Sequence, residues 1–179
     1  TDIAFPIQSC GKPVLYSAAL EQDSNADVHS FVGREPSGVS FNAFTLNSED
    51  KPHNACINAG AIVVSALYHP ELMPADRFNH FSDKLSELTG DEKPGFGLPV
   101  FLSEKATAHT NFALAHFIAS KGRFPADVSI ESALDFYFQM CSTEINCRQI
   151  ATLAATYANN GKNPITCKTV FSTETVKST

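Results

Sequence analysis

The amino-acid sequence predicts a single, mostly helical unit covering residues 1–179, and three observations support this prediction. The chain has 179 residues, of which 43% are hydrophobic and 18% are charged, the size and composition of one globular domain. Capping residues and glycines mark the beginnings and ends of several helical segments. Candidate extended segments are few and short, at residues 99–101 and 169–171. No repeat or flexible linker indicates an internal boundary.

In the first half of the chain, two apolar helices flank a long loop. A helix over residues 12–22 begins with Pro13, which a first helical turn tolerates. Asn54 can cap a second helix, from residue 55 to about residue 68, which is apolar on all sides and therefore central. Residues 33–54 are rich in turn formers and predict a loop with three apolar anchors, Phe41, Phe44 and Leu46.

The second half predicts five more helices. One begins near Pro74, carries apolar residues on one face and ends before Gly90. A serine marks the start of each of the other four helices, which are predicted at residues 104–120, 130–140, 144–158 and from 172 onward. This apolar helical layer needs a partner, and no extended segment in the sequence is long enough to form a sheet that covers it.

Composition argues against several classes of function. Lys and Arg number 13 against 19 Asp and Glu, a net charge of −6 without a basic cluster, so nucleic acid is not an expected partner. The longest apolar run, residues 55–68, is too short to cross a bilayer, and no membrane span is expected.

Five cysteines, an odd number, predict reduced thiols in an intracellular compartment, each filling the core as a small hydrophobic residue. The spacing of Cys141 and Cys147 matches no metal motif, and the sequence contains no H-E-x-x-H. Neither a metal site nor a cofactor is therefore expected.

A serine and a lysine near the N-terminus form an S-x-x-K motif, Ser9 and Lys12. At a helix start this spacing places the lysine one turn after the serine on the same face, so the amine can approach the hydroxyl. Burial favours the neutral amine, which can accept the serine proton in acyl transfer. The motif alone has low specificity, because a serine at a helix start is more often only a cap.

Five consecutive segments together resemble the serine-dependent glutaminase family, in particular the kidney-type mitochondrial enzymes of animals. They are Q-S-C-G-K-P (8–13), V-G-R-E-P-S-G-V-S-F-N (32–42), K-P-H-N-A-C-I-N-A-G-A-I (51–62), S-E-K-A-T-A-H-T-N-F-A (103–113) and L-D-F-Y-F-Q-M-C-S (134–142). The resemblance extends over essentially the whole chain. It implies the helical part of an α+β fold of the β-lactamase and penicillin-binding-protein type, and hydrolysis of L-glutamine to L-glutamate and ammonia through an acyl-enzyme.

The resemblance also implies the roles of individual residues. Ser9 matches the family nucleophile and Lys12 its activating base, while four residues match substrate-binding positions: Asn58, Glu104, Asn111 and Tyr137. In the predicted helix 104–120, Glu104 and Asn111 are two turns apart and share a face, so Glu104 could bind the substrate ammonium and Asn111 its carboxylate. Asn58 could donate an amide N–H and Tyr137 a hydroxyl. Without the resemblance, each of these four residues is more simply interpreted as structural.

The resemblance further implies a homo-oligomer that associates near residues 41–50 and the helix holding residues 111–117, and a mitochondrial location. Family members continue past this chain at both ends, where strands, a tyrosine and an oxyanion-binding K-S-G or K-T-G segment lie. We therefore expect a truncated glutaminase with its sheet strands largely absent and little activity of its own. Two alternatives remain: a non-catalytic oligomerisation or regulatory fragment, and, more distantly, a relative of the transpeptidases or β-lactamases.

Overall fold

The computed structural model describes residues 2–22 and 27–179. Helices dominate the described chain, and three short strands accompany them. The helices are α1 (Lys12–Glu21), α2 (Val28–Phe31), α3 (Asn58–Leu67), α4 (Pro74–Thr89), α5 (Leu98–Ala106), α6 (His109–Ser120), α7 (Ile130–Cys141), α8 (Cys147–Ala158) and α9 (Thr173–Ser178). The strands are β1 (Phe5–Pro6), β2 (Gly95–Phe96) and β3 (Thr143–Ile145).

Helix α3 forms the centre of the core, as its uniformly apolar sequence predicts. Every residue from Ala59 to Leu67 is buried. Helix α7 packs along α3, and α1 and α6 contact other sides of α3. Because α3 is enclosed in this way, residues at its N-terminal end are held against three neighbouring helices.

The small sheet has the order β1-β3-β2, and both pairs are antiparallel. Phe5 lies opposite Ile145, and Gly95 lies opposite Glu144. The backbone N–H of Ile7 donates to the carbonyl of Thr143 at 2.7 Å and extends the pairing toward Ser9. The sheet thus fixes the N-terminal segment beside the end of α7.

Several helix boundaries confirm the prediction because local capping chemistry determines them. The Ser129 hydroxyl accepts a hydrogen bond from the backbone N–H of Ser132 at the start of α7, and Ser172 does the same for Thr175 in α9. Helix α4 ends at Gly90, whose φ of 97° lies in the left-handed region that glycine adopts readily. Helix α1 starts with Pro13 in its first turn.

The prediction of a helix over residues 144–158 was wrong at its start. Residues Thr143–Ile145 form the central strand, and α8 begins only at Cys147. Its cap is Asn146, whose side chain accepts from the backbone N–H of Gln149 at position N3. The Gln149 side chain in turn accepts from the backbone N–H of Asn146, which completes a capping box. Ser142 is buried ahead of the strand, where it is the C-terminal cap of α7 and not the N-terminal cap of α8. Pairing of β3 on both edges overrides the helical tendency of these residues.

The predicted helix over residues 104–120 is in fact two helices, α5 and α6, separated at Thr107 and Ala108. Residues 99–101, predicted to be extended, lie in the first turns of α5, where Pro99 occupies an N-terminal helical position. Ser103 therefore lies within α5 rather than at a cap. At the break, the Thr107 hydroxyl donates to the carbonyl of Ser103 at 2.9 Å.

Helix α3 begins at Asn58 rather than at residue 55. The Asn54 side-chain oxygen accepts from the backbone N–H groups of Cys56 and Ile57, at 2.9 and 3.2 Å, and forms a turn before the helix. At the other end of the chain, Thr169 in the predicted extended segment 169–171 forms only an isolated bridge with Lys162.

The predicted loop over residues 33–54 lacks helices and strands, but its three apolar anchors differ in burial. Leu46 packs partly buried against the core, and Phe44 contacts the Phe117 ring with centroids 6.0 Å apart. Phe41 is 64% exposed, so its ring is not an apolar anchor, although its carbonyl accepts from the backbone N–H of Asn58 at 2.9 Å. The loop is held instead by backbone hydrogen bonds such as that from Gly33 to Pro52 at 2.8 Å.

The cysteines correct a prediction. Only Cys141 is buried, whereas the other four, Cys10, Cys56, Cys147 and Cys167, are exposed, so they do not fill the core. All five are free thiols in the structure. No helix in residues 2–22 and 27–179 has the length and apolar character needed to span a membrane.

Candidate active site

Ser9 lies in a 3-10 turn, Gln8–Gly11, between β1 and α1. Its side chain is exposed, and its hydroxyl forms no hydrogen bond with another described residue. Gln8, just before it, has a φ of 51°, a left-handed conformation that costs energy for a residue with a side chain. Gly11 lets the turn lie against α7, because a Cβ there would be only 2.4 Å from Met140 Sδ.

Lys12 is the first residue of α1 and is buried, with 3% of its surface exposed. Its Nζ donates to Asn58 Oδ1 at 2.6 Å. The hydrogen bond of Lys12 to Ser9 is through the backbone, from the N–H of Lys12 to the Ser9 carbonyl. Ser9 and Lys12 thus lie on one short segment, as the motif predicts. No hydrogen bond joins the Lys12 amine to the Ser9 hydroxyl, because Nζ donates to Asn58 in this structure.

Burial lowers the pKa of Lys12 from its ordinary value of 10.5, because desolvation disfavours the ammonium form. The nearby Cys141 and Cys56 thiols oppose this shift. A larger fraction of neutral amine is therefore present at a given pH than for a solvated lysine. This is the electrostatic condition under which a lysine serves as a general base.

Asn58 connects its own helix, α3, to three others. Besides the bond from Lys12, its Oδ1 accepts from the Tyr137 hydroxyl at 3.4 Å, and its Nδ2 donates to Asn111 Oδ1 at 3.5 Å. Asn58 begins α3, Asn111 is in α6 and Tyr137 is in α7. Four of the predicted site residues are thus joined by direct hydrogen bonds, although they are distant in the sequence.

Tyr137 remains a hydroxyl donor over a wide pH range. It is 4% exposed, and burial raises its pKa well above the ordinary value, with the Cys141 thiol and the Glu104 carboxylate adding to the shift. Burial also raises the pKa of Cys141 to about 12, so this thiol stays neutral beside Tyr137.

Glu104 joins the site through Gln8, whose Nε2 lies 3.3 Å from Glu104 Oε1. Glu104 is half-buried in α5, and its carboxylate influences both Tyr137 and Cys141. Gln8 was not among the site residues predicted from the sequence. The only signal for it in the sequence is its position directly before Ser9.

Glu104 and Asn111 reach the site from two helices. The expectation that they share one face of a continuous helix was wrong, because the chain breaks at residues 107–108 between α5 and α6. Both residues still link to the Ser9–Lys12 segment, Glu104 through Gln8 and Asn111 through Asn58.

Gly60 fixes the N-terminal end of α3, and its substitution gives a stability prediction. A Cβ at Gly60 would lie 1.8 Å from the Asn54 carbonyl oxygen, a backbone atom that cannot move without displacing the turn before Asn58. We expect Gly60→Ala to lower the free energy of unfolding by roughly 2–4 kcal/mol, as an overpacked core site does. Urea denaturation followed by circular dichroism measures this change.

The matched control is Gly122→Ala. Gly122 has a φ of 68°, and a Cβ added there would have no other atom within 4 Å, so only the backbone strain of about 1–2 kcal/mol applies. Equal destabilisation by the two substitutions would contradict the close contact at Gly60.

No group of three or more His, Cys, Asp and Glu side chains within the described ranges has a geometry that could hold a metal ion. The site consists instead of a hydroxyl, a buried amine, amides, a phenol and a carboxylate. These groups suit proton transfer and recognition of a polar molecule that carries one positive and one negative charge.

Comparison with known proteins identifies the family. The glutaminase family model matches residues 1–179. The chain is 42% identical to the mitochondrial liver isoform of glutaminase from Rattus norvegicus over 179 residues, which are 100% of this chain and 30% of the relative. It is 38% identical to a glutaminase from Nostoc over 174 residues, covering 97% of this chain and 51% of the relative. The chain thus spans between about a third and a half of the length of these relatives.

Solved structures show the same fold. A Bacillus glutaminase crystallised in the presence of 4.3 M NaCl superposes with a TM-score of 0.89 at 28% identity, covering 98% of this chain and 59% of the other. A probable glutaminase from Bacillus subtilis also gives a TM-score of 0.89 at 28% identity and covers 98% of this chain and 56% of the other. The predicted fold class is therefore confirmed: the described chain is a helical part, with a small sheet, of a β-lactamase-like fold. With the family model matching from the first residue to the last, this chain belongs to the glutaminase family.

Proposed function

We propose that the protein hydrolyses the side-chain amide of L-glutamine, giving L-glutamate and ammonia, with Ser9 as the nucleophile and Lys12 as the base. The observation that carries the proposal is the buried Lys12 amine, held by Asn58 one helical turn from an exposed serine hydroxyl. Membership of the glutaminase family supports the choice of substrate.

The proposed reaction has two halves. Ser9 Oγ attacks the carbonyl carbon of the substrate amide while its proton passes to neutral Lys12 Nζ, and the tetrahedral intermediate expels ammonia as Lys12 returns that proton to the leaving nitrogen. A water molecule then attacks the acyl-enzyme ester and gives its proton to Lys12. Collapse of the second intermediate breaks the bond to Ser9 Oγ, which regains a proton, and releases glutamate.

The remaining site residues suit the α-amino and α-carboxylate groups of glutamine. The Glu104 carboxylate is an acceptor for the substrate ammonium, and the amides of Asn58, Asn111 and Gln8 provide donors for its carboxylate. The Tyr137 hydroxyl, which stays protonated, is a further donor. In this proposal the substrate takes over some of the hydrogen bonds that now join these side chains to one another.

The proposal includes a homo-oligomer and a mitochondrial location. Phe41 and Phe44 in the loop 41–50 are 64% and 47% exposed, and Phe44 lies against Phe117 of α6, which makes this loop and helix an apolar surface suited to association. The same surface favours the second candidate, a non-catalytic assembly role.

Relatives from rat and mouse that are named as mitochondrial support the proposed mitochondrial location. We further propose that residues 1–179 act as one unit.

The test of the function is release of ammonia and glutamate by the intact protein that carries this sequence. We expect hydrolysis of L-glutamine and at least about tenfold slower hydrolysis of L-asparagine, because one fewer methylene moves the amide away from Ser9 when Glu104 and Asn111 hold the charged end. D-Glutamine serves as the control for recognition of the α-carbon. Absence of turnover with glutamine, together with concentration-dependent association of the same sample, would favour the assembly role instead.

A further inference from the structure

A second cavity lies between the start of α4 and one face of α7, and it shares no residue with the candidate active site. Its volume is about 210 Å³. Apolar walls are formed by Leu72, Pro74 and Phe136, and its polar lining consists of Arg77, Ser132, Asp135 and Gln139. The combination of apolar walls with a few polar groups is typical of small-molecule sites.

Arg77 is the unusual member of this lining, because its side chain is 3% exposed and no salt bridge joins it to a carboxylate of the described residues. Its Nε donates to the Tyr68 carbonyl at 2.7 Å, and its Nη2 donates to the Ser65 carbonyl. The guanidinium lies over the Phe136 ring, 4.3 Å from the centroid. A guanidinium has five N–H donors, so three have no partner in the described structure.

Two further polar side chains of the cavity also have no hydrogen-bond partner among the described residues. Ser132 and Gln139 are seven residues apart in α7, two turns along one face, and neither side chain forms a hydrogen bond with a described residue. The one acidic group, Asp135, is paired with Lys105 at 2.8 Å. The exposed Glu71 carboxylate interacts electrostatically with Arg77 but forms no salt bridge with it, so no carboxylate of the described residues is paired directly with the guanidinium. Burial lowers the pKa of Arg77 to about 10, and the guanidinium therefore stays positively charged at neutral pH.

We propose that this cavity binds a small aliphatic carboxylate. The planar carboxylate would accept hydrogen bonds from the free guanidinium donors of Arg77, with the Ser132 hydroxyl and the Gln139 amide as additional donors. Its short hydrocarbon tail would contact Leu72, Pro74 and Phe136. The proposal is independent of glutamine hydrolysis, since no residue of the cavity belongs to the candidate active site.

The test is calorimetric titration of the intact protein with sodium butyrate, with sodium acetate, sodium phosphate and sodium chloride at equal ionic strength for comparison. Arg77 itself is left unchanged, because it also holds the C-terminal end of α3. The test variant is Ser132→Ala combined with Gln139→Met, which removes two donors from a face of α7 without removing a buried charge. Ser103→Ala, an exposed helical serine outside the cavity, is the matched control.

We expect saturable binding of butyrate, weakened about tenfold or more in the double variant because two hydrogen bonds to a charged ligand are lost, and unchanged in Ser103→Ala. Butyrate that also enters the active site would remain as a separate component in the double variant. Three results would each overturn the proposal: no saturable binding, equal affinity in the double variant, or phosphate binding tighter than butyrate. Glutamine hydrolysis is expected to be unchanged in the double variant.

Discussion

The Ser9→Ala variant is expected to lose glutamine hydrolysis by on the order of 10⁴-fold or more, while its free energy of unfolding stays within about 0.5 kcal/mol of the parent. The reason for the first effect is that no acyl-enzyme can form without Oγ. The reason for the second is that the Ser9 side chain is exposed and its hydroxyl bonds to no described residue, so its removal breaks no contact.

The measurements are kcat/KM for glutamine and urea denaturation of the same preparations. Cys10→Ala, which changes the next exposed side chain of the same turn, is the control and is expected to retain most activity. Activity of Ser9→Ala at the parent level would exclude Ser9 as the nucleophile. Equal loss in both variants would indicate disturbance of the turn rather than loss of the nucleophile.

Lys12→Met is expected to lower kcat by about 10²- to 10⁴-fold, the contribution typical of a positioned general base. Methionine fills a similar volume but cannot accept a proton, and it leaves the Asn58 oxygen with the Tyr137 hydroxyl as its donor. The pH profile distinguishes loss of the base from loss of packing. Because the active form of Lys12 is the neutral amine and burial lowers its pKa, kcat/KM of the parent should rise with pH to a plateau, and the midpoint of the rise should lie below pH 10.5.

In Lys12→Met this rising limb should disappear, whereas a packing defect would lower the whole profile without changing its shape. Lys12→Arg is a second informative variant, since it keeps the charge but cannot lose its proton at these pH values, and it should be inactive too. Lys162→Met replaces an exposed lysine and serves as the control. A Lys12→Met profile with the parent's rising limb would show that another group is the base.

Whether a sequence prediction was confirmed depended on how far apart along the chain the interacting residues lie. Ser129, Ser172 and Gly90 mark helix ends because each acts on its own backbone neighbours, so a single sequence reveals them. The segment 143–145 was misjudged because its state depends on pairing with strands near residues 5 and 95, far away along the chain. Burial of the cysteines was misjudged for the same reason, since exposure is decided by the elements that pack around a residue.

The sequence by itself determined the glutaminase family, through motifs spread over the whole chain, and it nominated six site residues that stay predictions until the variants are made. Only the tertiary structure decided which of them meet. The Lys12 amine binds Asn58, which lies 46 positions later in the chain, and Glu104 is contacted by Gln8, a residue outside the six that lies 96 positions earlier. Such contacts depend on how α3, α5, α6 and α7 pack around the Ser9 turn, and local periodicity carries no information about the packing of distant helices. The same packing buries Lys12 and thereby lowers its pKa, the property on which its proposed role as a base depends.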